Sequence, residues 1–252
     1  LPLQITLVQI DNFGPWTESL GVNREADLQI LQGELYTDLQ RLFSVKGGLL
    51  FYSRFDNMIA VTNGIGCSHH NGIVKSIQNR YPITISMGVG IGKDPLSAQN
   101  KASKLLQEKG SAQSKKRKSI LAHNGFLSRG EGMVHMVHAD IDDFTRNLTD
   151  SVSAYEAFLK VNEIFLELSK RFLKKKALVF FTGGDNFLIV CNGISNKEIE
   201  EILMDVSEGL GLTIIGAFGR GKTALEALRM ANQGLHLSRE GKVKGILVST
   251  TY

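Results

Sequence analysis

Two aspartates in the second half of the chain have the type and setting to bind a divalent cation. Asp140 closes an apolar, β-branched run that begins at Met133, and Asp185 sits in the tight turn Gly183-Gly184-Asp185-Asn186 between two further runs. If those runs are paired strands, both carboxylates meet at one sheet edge. Mg²⁺ takes hard oxygen donors, typically one or two carboxylates with water and phosphate oxygens at ~2.1 Å, and the carbonyl of Ile141 is a natural third protein ligand. A lone aspartate in a hairpin often only makes the turn, because Asp and Asn bond their own backbone there. That is the reading for Asp56 in Phe55-Asp56-Asn57 taken alone. Asp185 follows two glycines and is joined to Asp140-Ile141-Asp142-Asp143-Phe144, so it is read as a ligand.

Other residues offer anion contacts. Gly219-Arg220-Gly221-Lys222-Thr223 lies between a strand and a helix, where glycines let backbone approach an anion and a helix start favours negative charge. It is not a P-loop, and Lys222 is its foremost phosphate candidate, ahead of Arg220. Arg239 and Lys242 lie near the end of the last helix, where a cation also stabilises exposed carbonyls. The backbone N–H groups of Asp143 and Phe144 are placed to cradle phosphates, although Phe13 and Phe144 also suit turn packing. His135 and His138 are three apart on a strand and face opposite sides, so they do not chelate together. His138 shares a face with Asp140; His69 and His70 read as loop and His236 as helix surface. Cys67 and Cys191 stand in no metal or disulfide spacing and read as buried thiols.

An internal repeat supplies the elements that position these groups. Asp56-Asn57 through Asn63-Gly64-Ile65 matches Asp185-Asn186 through Asn192-Gly193-Ile194 at an offset of 129, and Gly90 through Ala98 matches Gly219 through Ala227 at the same offset. Gln9-Ile10-Asp11-Asn12-Phe13 matches Asp140 through Phe144 at 131. Each copy reads as an opening strand (5–10, 133–140), a helix (26–43, 154–172), two strands flanking the Asp-Asn turn (48–55 and 58–62; 177–182 and 187–191), a strand (83–90, 212–218) and a last helix (96–108, 224–239). A further charged helix is expected over 196–208. The order gives an α+β protein of two tandem ferredoxin-like βαββαβ palm domains, each an antiparallel sheet with helices on one face. Domains are placed at 1–112 and 131–252, with a polar, basic linker at 113–130 carrying a helical turn near 120–126.

Composition narrows the class. Hydrophobic content of 42% with 21% charged residues and four prolines describes an ordinary globular chain. The +4 formal charge is local: Lys115-Lys116-Arg117-Lys118 and Lys174-Lys175-Lys176 hold seven of 29 positive charges, leaving 22 against 25 acids. Both runs read as solvated, so no nucleic-acid partner is expected. No apolar run reaches the ~18 residues of a membrane span and the start lacks a basic flank, so no membrane partner and a cytoplasmic location are expected.

The motifs carry a resemblance. Asp140 through Thr145 with Gly183-Gly184-Asp185-Asn186-Phe187 resembles the metal-binding pair of class III nucleotidyl cyclases and GGDEF diguanylate cyclases. More closely, Val8 through Thr17, Phe51 through Asn57, Asn79 through Pro82 and Asp150 through Tyr155 resemble GTP cyclohydrolase III of the archaeal type over nearly the whole chain. The resemblance implies GTP as substrate, hydrolytic opening of the guanine imidazole ring at C8 and release of two phosphates. It also implies Mg²⁺, a monovalent cation such as K⁺ and a homo-oligomer. Asp140 and Asp185 then carry catalysis, with Ile141 completing the metal site. Substrate contacts are expected from Asp11, Arg54, Asp56, Phe144, Asn147, Lys222, Arg239 and Lys242, with Asn147 or Asp150 reading the guanine edge. Two departures matter: Asn186 replaces an acid of the GGDEF pattern, and Gln9 replaces the first-strand aspartate in the N-terminal copy. They leave a nucleotide cyclase and a non-catalytic GTP-binding sensor as alternatives, and they mark the N-terminal copy as degenerate or accessory.

Overall fold

The computed structural model describes residues 1–22, 24–144, 149–243 and 245–249. The chain divides into two compact units, Leu1–Lys93 with Ser97–Met133 and Lys222–Leu225, and Asp94–Leu96 with Val134–Gly221 and Glu226–Tyr252. The first contains β1 (Leu3–Ile10), α1 (Phe13–Thr17), α2 (Arg24–Ser44), β2 (Leu49–Arg54), β3 (Asn57–Val61), α3 (Cys67–Arg80), β4 (Ile85–Gly92), α4 (Pro95–Gln107) and β5 (Leu121–His123). The second contains β6 (Val134–Ile141), α5 (Ala154–Lys174), β7 (Leu178–Gly183), β8 (Asn186–Val190), α6 (Asn196–Leu210), β9 (Ile214–Gly221), α7 (Ala224–Arg239) and β10 (Leu247–Ser249).

The two sheets have corresponding orders, β2-β3-β1-β4-β5 and β10-β9-β6-β8-β7, so the repeat is a repeat of topology. Four strands of each are antiparallel, and a short fifth strand adds in parallel, β5 on β4 and β10 on β9. Both sheets are therefore mixed. The stretch read as a linker holds β5, so it closes the first sheet, and the helical turn expected near 120–126 is a strand. Three-residue strands owe their existence to the neighbour they pair with rather than to a local pattern.

Helices cover both faces of each sheet, a correction to the one-faced arrangement read from the sequence. Val137, Ala139 and Ile141 of β6 pack with Ile164, Leu168 and Phe172 of α5 and Ile199 and Leu203 of α6. In the first unit Val8 and Ile10 of β1 pack with Leu35, Leu39 and Phe43 of α2 and Ile73 and Ile77 of α3. Each of these side chains except that of Ala139 contributes about 1.5–3 kcal/mol when fully buried. The helix α3 lies where a loop was expected, with Cys67 exposed at its start rather than buried. His70 on α3 is fully buried: its Nδ1 bonds the Gly66 carbonyl at 2.9 Å and its Nε2 the Thr6 hydroxyl at 2.9 Å. Burial lowers its pKa to about 4. The same face holds Gln4, whose side-chain amide donates to Thr62 O at 2.7 Å, Thr62 Oγ1 at 3.1 Å and Ile65 O at 3.0 Å. Thr6 Oγ1 and Thr62 Oγ1 share a further bond of 2.8 Å.

On the opposite face lie α4 in the first unit and α7 in the second, and glycine makes their approach feasible. A Cβ on Gly88 or Gly90 would stand 2.2 Å from the carbonyl oxygen of Ala102 or Ala98. One on Gly219 would stand 2.1 Å from Ala227 O, and one on Gly221 2.5 Å from Ala227 N. Ala98, Ala102, Ala227 and Ala231 are fully buried against these strands. The Gly-rich string at 219–223 is thus a helix-on-strand seam rather than an anion loop. Among the described residues no helix is long and apolar enough to cross a membrane.

This seam generates a stability test. Gly219→Ala should cost about 1–3 kcal/mol through overpacking. Gly33→Ala, in mid-helix with nothing within 4 Å of the added Cβ, should stabilise by about 0.5–1 kcal/mol. Urea denaturation of the two variants checks both signs.

Candidate active site

The antiparallel register sets the site. Ala139 pairs with Phe187 and Gly183 with Asn186, so the end of β6 lies beside the β7–β8 turn. Gly183 and Gly184 take φ of 108° and 62°, left-handed values that fit two consecutive glycines and turn the chain tightly before Asp185. Asp143 is also left-handed (φ 50°), as is Asn12 at the matching position of the first unit (φ 53°), so both opening strands end in the same sharp turn.

Asp140 and Asp185 converge here. The Asp185 carboxyl is pushed up to about 6 by burial first, then by the hydrogen bond and charge of Asp140. Asp140 is buried, and its Oδ1 has no donor among the described residues when both groups are ionised. A proton on Asp185 lets the two carboxyls share a hydrogen bond. Its Oδ2 receives the guanidinium of Arg239, which sits at the end of α7. Two carboxylates that resist simultaneous ionisation, one with an orphaned buried oxygen, form a donor set that a hard divalent cation fits. Among the described residues no three His, Cys, Asp or Glu side chains are grouped so as to hold a metal ion together, so a cation here would draw its other ligands from backbone, water and phosphate.

A chain of hydrogen bonds holds the turn. His138 Nε2 donates to Asn186 Oδ1 at 2.8 Å, with Nδ1 2.7 Å from the Asn232 amide of α7. Asn186 Nδ2 in turn donates to Asp185 Oδ1 at 2.9 Å. Asn186, which departs from the GGDEF pattern, therefore orients its neighbour's carboxylate. A cavity of ≈ 460 Å³ opens over the pair, lined by Asp140, Ile141, Asp142, Asp143, Phe144, Asp185, Ile215, Leu235, Ser238 and Arg239.

Asp140, Ile141, Phe144, Asp185 and Arg239 thus share one cavity. Lys222 does not: Val134 pairs with Gly221 and Asp140 with Ile215, which puts Lys222 beyond the far end of β9, roughly 20 Å along the strand at ~3.3 Å per residue. Lys242 is exposed and paired with Glu240 at 2.7 Å. Asn147 lies outside the described residues. Arg54 and Asp56 pair with each other at 2.8 Å in the first unit's exposed hairpin.

Asp11 has a different fate, and it exposes a residue that composition hid. It is buried, accepting from Ser86 Oγ at 2.6 Å, Thr84 Oγ1 at 2.8 Å and the Ser119 N–H at 2.9 Å. Beside it, Arg117 lies 3% exposed, donating to Gln9 Oε1 at 2.6 Å and pairing with Asp11 Oδ1 at 3.4 Å. Arg117 sits in a basic run read as solvated, and the one signal that distinguishes it from its exposed neighbours is that it is the run's single arginine, the type suited to buried ion pairs.

Two outcomes follow. Arg117→Ala leaves Asp11 buried without its charge partner and should cost about 3–5 kcal/mol, while Lys118→Ala stays within about 0.5 kcal/mol; thermal melts compare them. Because Asp185 holds its proton more tightly folded than unfolded, stability without divalent cation should fall as pH rises from about 4 through about 6. Asp185→Asn should flatten that fall in denaturation curves taken across the range.

Comparison with known proteins identifies the family. The sequence profile of GTP cyclohydrolase III matches residues 5–251. The chain is 48% identical to "GTP cyclohydrolase III" of Methanobrevibacter smithii over 94% of each chain. It is 44% identical to the protein of that name from Methanocaldococcus jannaschii, over 98% of this chain and 90% of the relative. Among solved structures, the GGDEF domain of DgcB from Caulobacter crescentus, with its coiled coil and c-di-GMP, aligns over 48% of this chain and 71% of its own, with 16% identity and a TM-score of 0.41. By its sequence, matched from near one end to near the other, the chain belongs to the GTP cyclohydrolase III family.

Proposed function

We propose that the chain hydrolyses GTP at the β6 and β7–β8 edge of its C-terminal unit. The guanine imidazole ring opens at C8 and two phosphates are released, leaving 2-amino-5-formylamino-6-(5-phosphoribosylamino)pyrimidin-4(3H)-one. Family membership over nearly the whole chain supports the activity, and the observation that carries its placement is the convergence of Asp140 and Asp185 under one cavity. In this reading Asp140, Asp185 and the Ile141 carbonyl hold Mg²⁺, with a monovalent cation such as K⁺ also required. When bound, a divalent ion neutralises phosphate charge and lowers the pKa of water.

The residues divide the work. Asp185 would have to give up its proton to serve as a ligand, so cation affinity should rise with pH through about 6. Arg239 neutralises Asp140 in the structure described. With Asp140 serving as a metal ligand, the guanidinium would be free to pair with a phosphate, for which its planar fork suits it. His138 and Asn186 are positioning groups that keep the Asp185 carboxylate aimed. The left-handed turn at Asp143 ends β6 beside the cavity, and the backbone N–H groups of Asp143 and Phe144 are assigned to the phosphates in this reading.

Mass spectrometry of one incubation with GTP and Mg²⁺ tests the activity. A ring-opened product with two phosphates lost is expected; a cyclic phosphodiester would identify a cyclase, and unconsumed GTP a sensor. Asp140→Asn and Asp185→Asn should each lower turnover on the order of 10²-fold or more. His138→Ala should raise the Mg²⁺ concentration needed for half-maximal rate by about 10–100-fold, with a smaller change in the rate at saturating Mg²⁺.

A further inference from the structure

We propose that the N-terminal unit's copy of this site is closed to divalent cations because the guanidinium of Arg117 serves there as a built-in cation. The inference rests on the metal reading of the C-terminal site and extends it to the other half of the chain. Position for position, Gln9 corresponds to Asp140: Gln9 pairs across the sheet with Asn57 and Ser86, and the partners at matching places in the second sheet are Asn186 and Ile215. The first-strand carboxylate has become an amide, and the charge it would have presented is gone.

What occupies its front is Arg117. Nη2 donates to Gln9 Oε1 at 2.6 Å and to Asp11 Oδ1 at 3.4 Å, and Nη1 donates to Gly110 O at 3.3 Å. The side chains of Arg117 and Asp11 are 3% and 1% exposed, so the pair is sealed from water. One buried negative charge faces one buried positive charge, and the local sum is zero. The C-terminal edge instead sets two carboxylates against Arg239, whose side chain is 63% exposed and can move away.

The second carboxylate of the N-terminal copy is diverted as well. Asp56 is held by Arg54 at 2.8 Å, and the residue that corresponds to Arg54 in the second copy is Gly183, which has no side chain. Gln9 Nε2 donates to Asn57 Oδ1 at 2.8 Å, so the amide is committed at both ends. A divalent ion entering here would have to expel a buried guanidinium and would gain neutral or already neutralised oxygens in return. One carboxylate-pair site per chain follows, and the N-terminal copy becomes a metal-independent scaffold.

The test counts Mn²⁺ bound to the full chain without nucleotide, by electron paramagnetic resonance of the free ion. Asp140→Asn/Asp185→Asn should weaken binding by more than the roughly 10–100-fold that loss of an outer-shell partner causes, leaving no site that Asp56→Asn can remove. A residual Mn²⁺ site abolished by Asp56→Asn would overturn the proposal. Mn²⁺ binding unchanged by the first two substitutions and by Asp56→Asn would instead sink the C-terminal metal reading. In the Asp140→Asn/Asp185→Asn background, Gln9→Glu alone should bind no Mn²⁺, because Arg117 pairs with the new carboxylate. Adding Arg117→Met should create a site. Binding by Gln9→Glu alone, or none by the double substitution in protein whose melt shows it folded, would show that the guanidinium is not what excludes the ion. Should Arg117→Met unfold the chain, the residual-site measurement decides by itself.

Discussion

The closeness of one helix to each sheet governs most of what the molecule does. Strands β4 and β9 each carry glycines where a Cβ would strike the helix backbone at little more than 2 Å, so α4 and α7 lie almost directly on them. The sixteen residues of α7 span about 24 Å at 1.5 Å per residue, near the reach of the eight-residue strand it retraces. The helix therefore leaves the far end of β9 and returns to the Asp140 end. That return delivers Arg239 to the carboxylates and Asn232 to His138. Without the seam, the basic residue and the acids it serves would be on different layers.

Placed side by side, the two units show one architecture tuned to opposite electrostatic ends. In the second, two acids share an edge and resist joint ionisation; in the first, one of them has become Gln9, the other, Asp56, is paired with Arg54, and the neighbouring Asp11 is wrapped in hydroxyl and N–H donors and balanced by Arg117. Ser86 donates to Asp11, whereas Ile215 holds the equivalent place beside Asp140 and donates nothing. Satisfying a carboxylate makes it structural. Leaving one oxygen of Asp140 without a donor keeps it available.

The repeat, the strand and helix order and the Asp140–Asp185 pair were legible because period, turn glycines and matched offsets are local signals. The capping boxes Ser153/Glu156 and Ser195/Glu198 mark the starts of α5 and α6 in the same local way. Helix α3 carries no such box: it starts after Gly66 without a side-chain cap, and Ile73, Val74 and Ile77 are too few to outweigh its His and Asn residues. β5 and β10 exist through pairing alone. The string at 219–223 misled because glycine serves close helix packing and anion binding alike, and only the register, which sends Lys222 to the wrong end of the sheet, separates the two. Arg117 was hidden by three neighbouring lysines of the same charge.

A chain with two copies of one sheet faces the hazard of pairing a strand with its counterpart's partner while folding, as tandem repeats do. The buried polar cluster around Gln4 and Thr6 sorts them. If β1 paired with β8, Thr62 would be replaced by Cys191 and His70 by Ile199 at the matching places, and the Thr6 hydroxyl would lose both of its partners. Gln4 would also forfeit the hydroxyl of Thr62. Each buried group left without a partner costs about 1–3 kcal/mol, a penalty that falls on the wrong partner and spares the right one. Side chains that look like a burden on the first core thus act as an address, telling each strand which half of the molecule it belongs to.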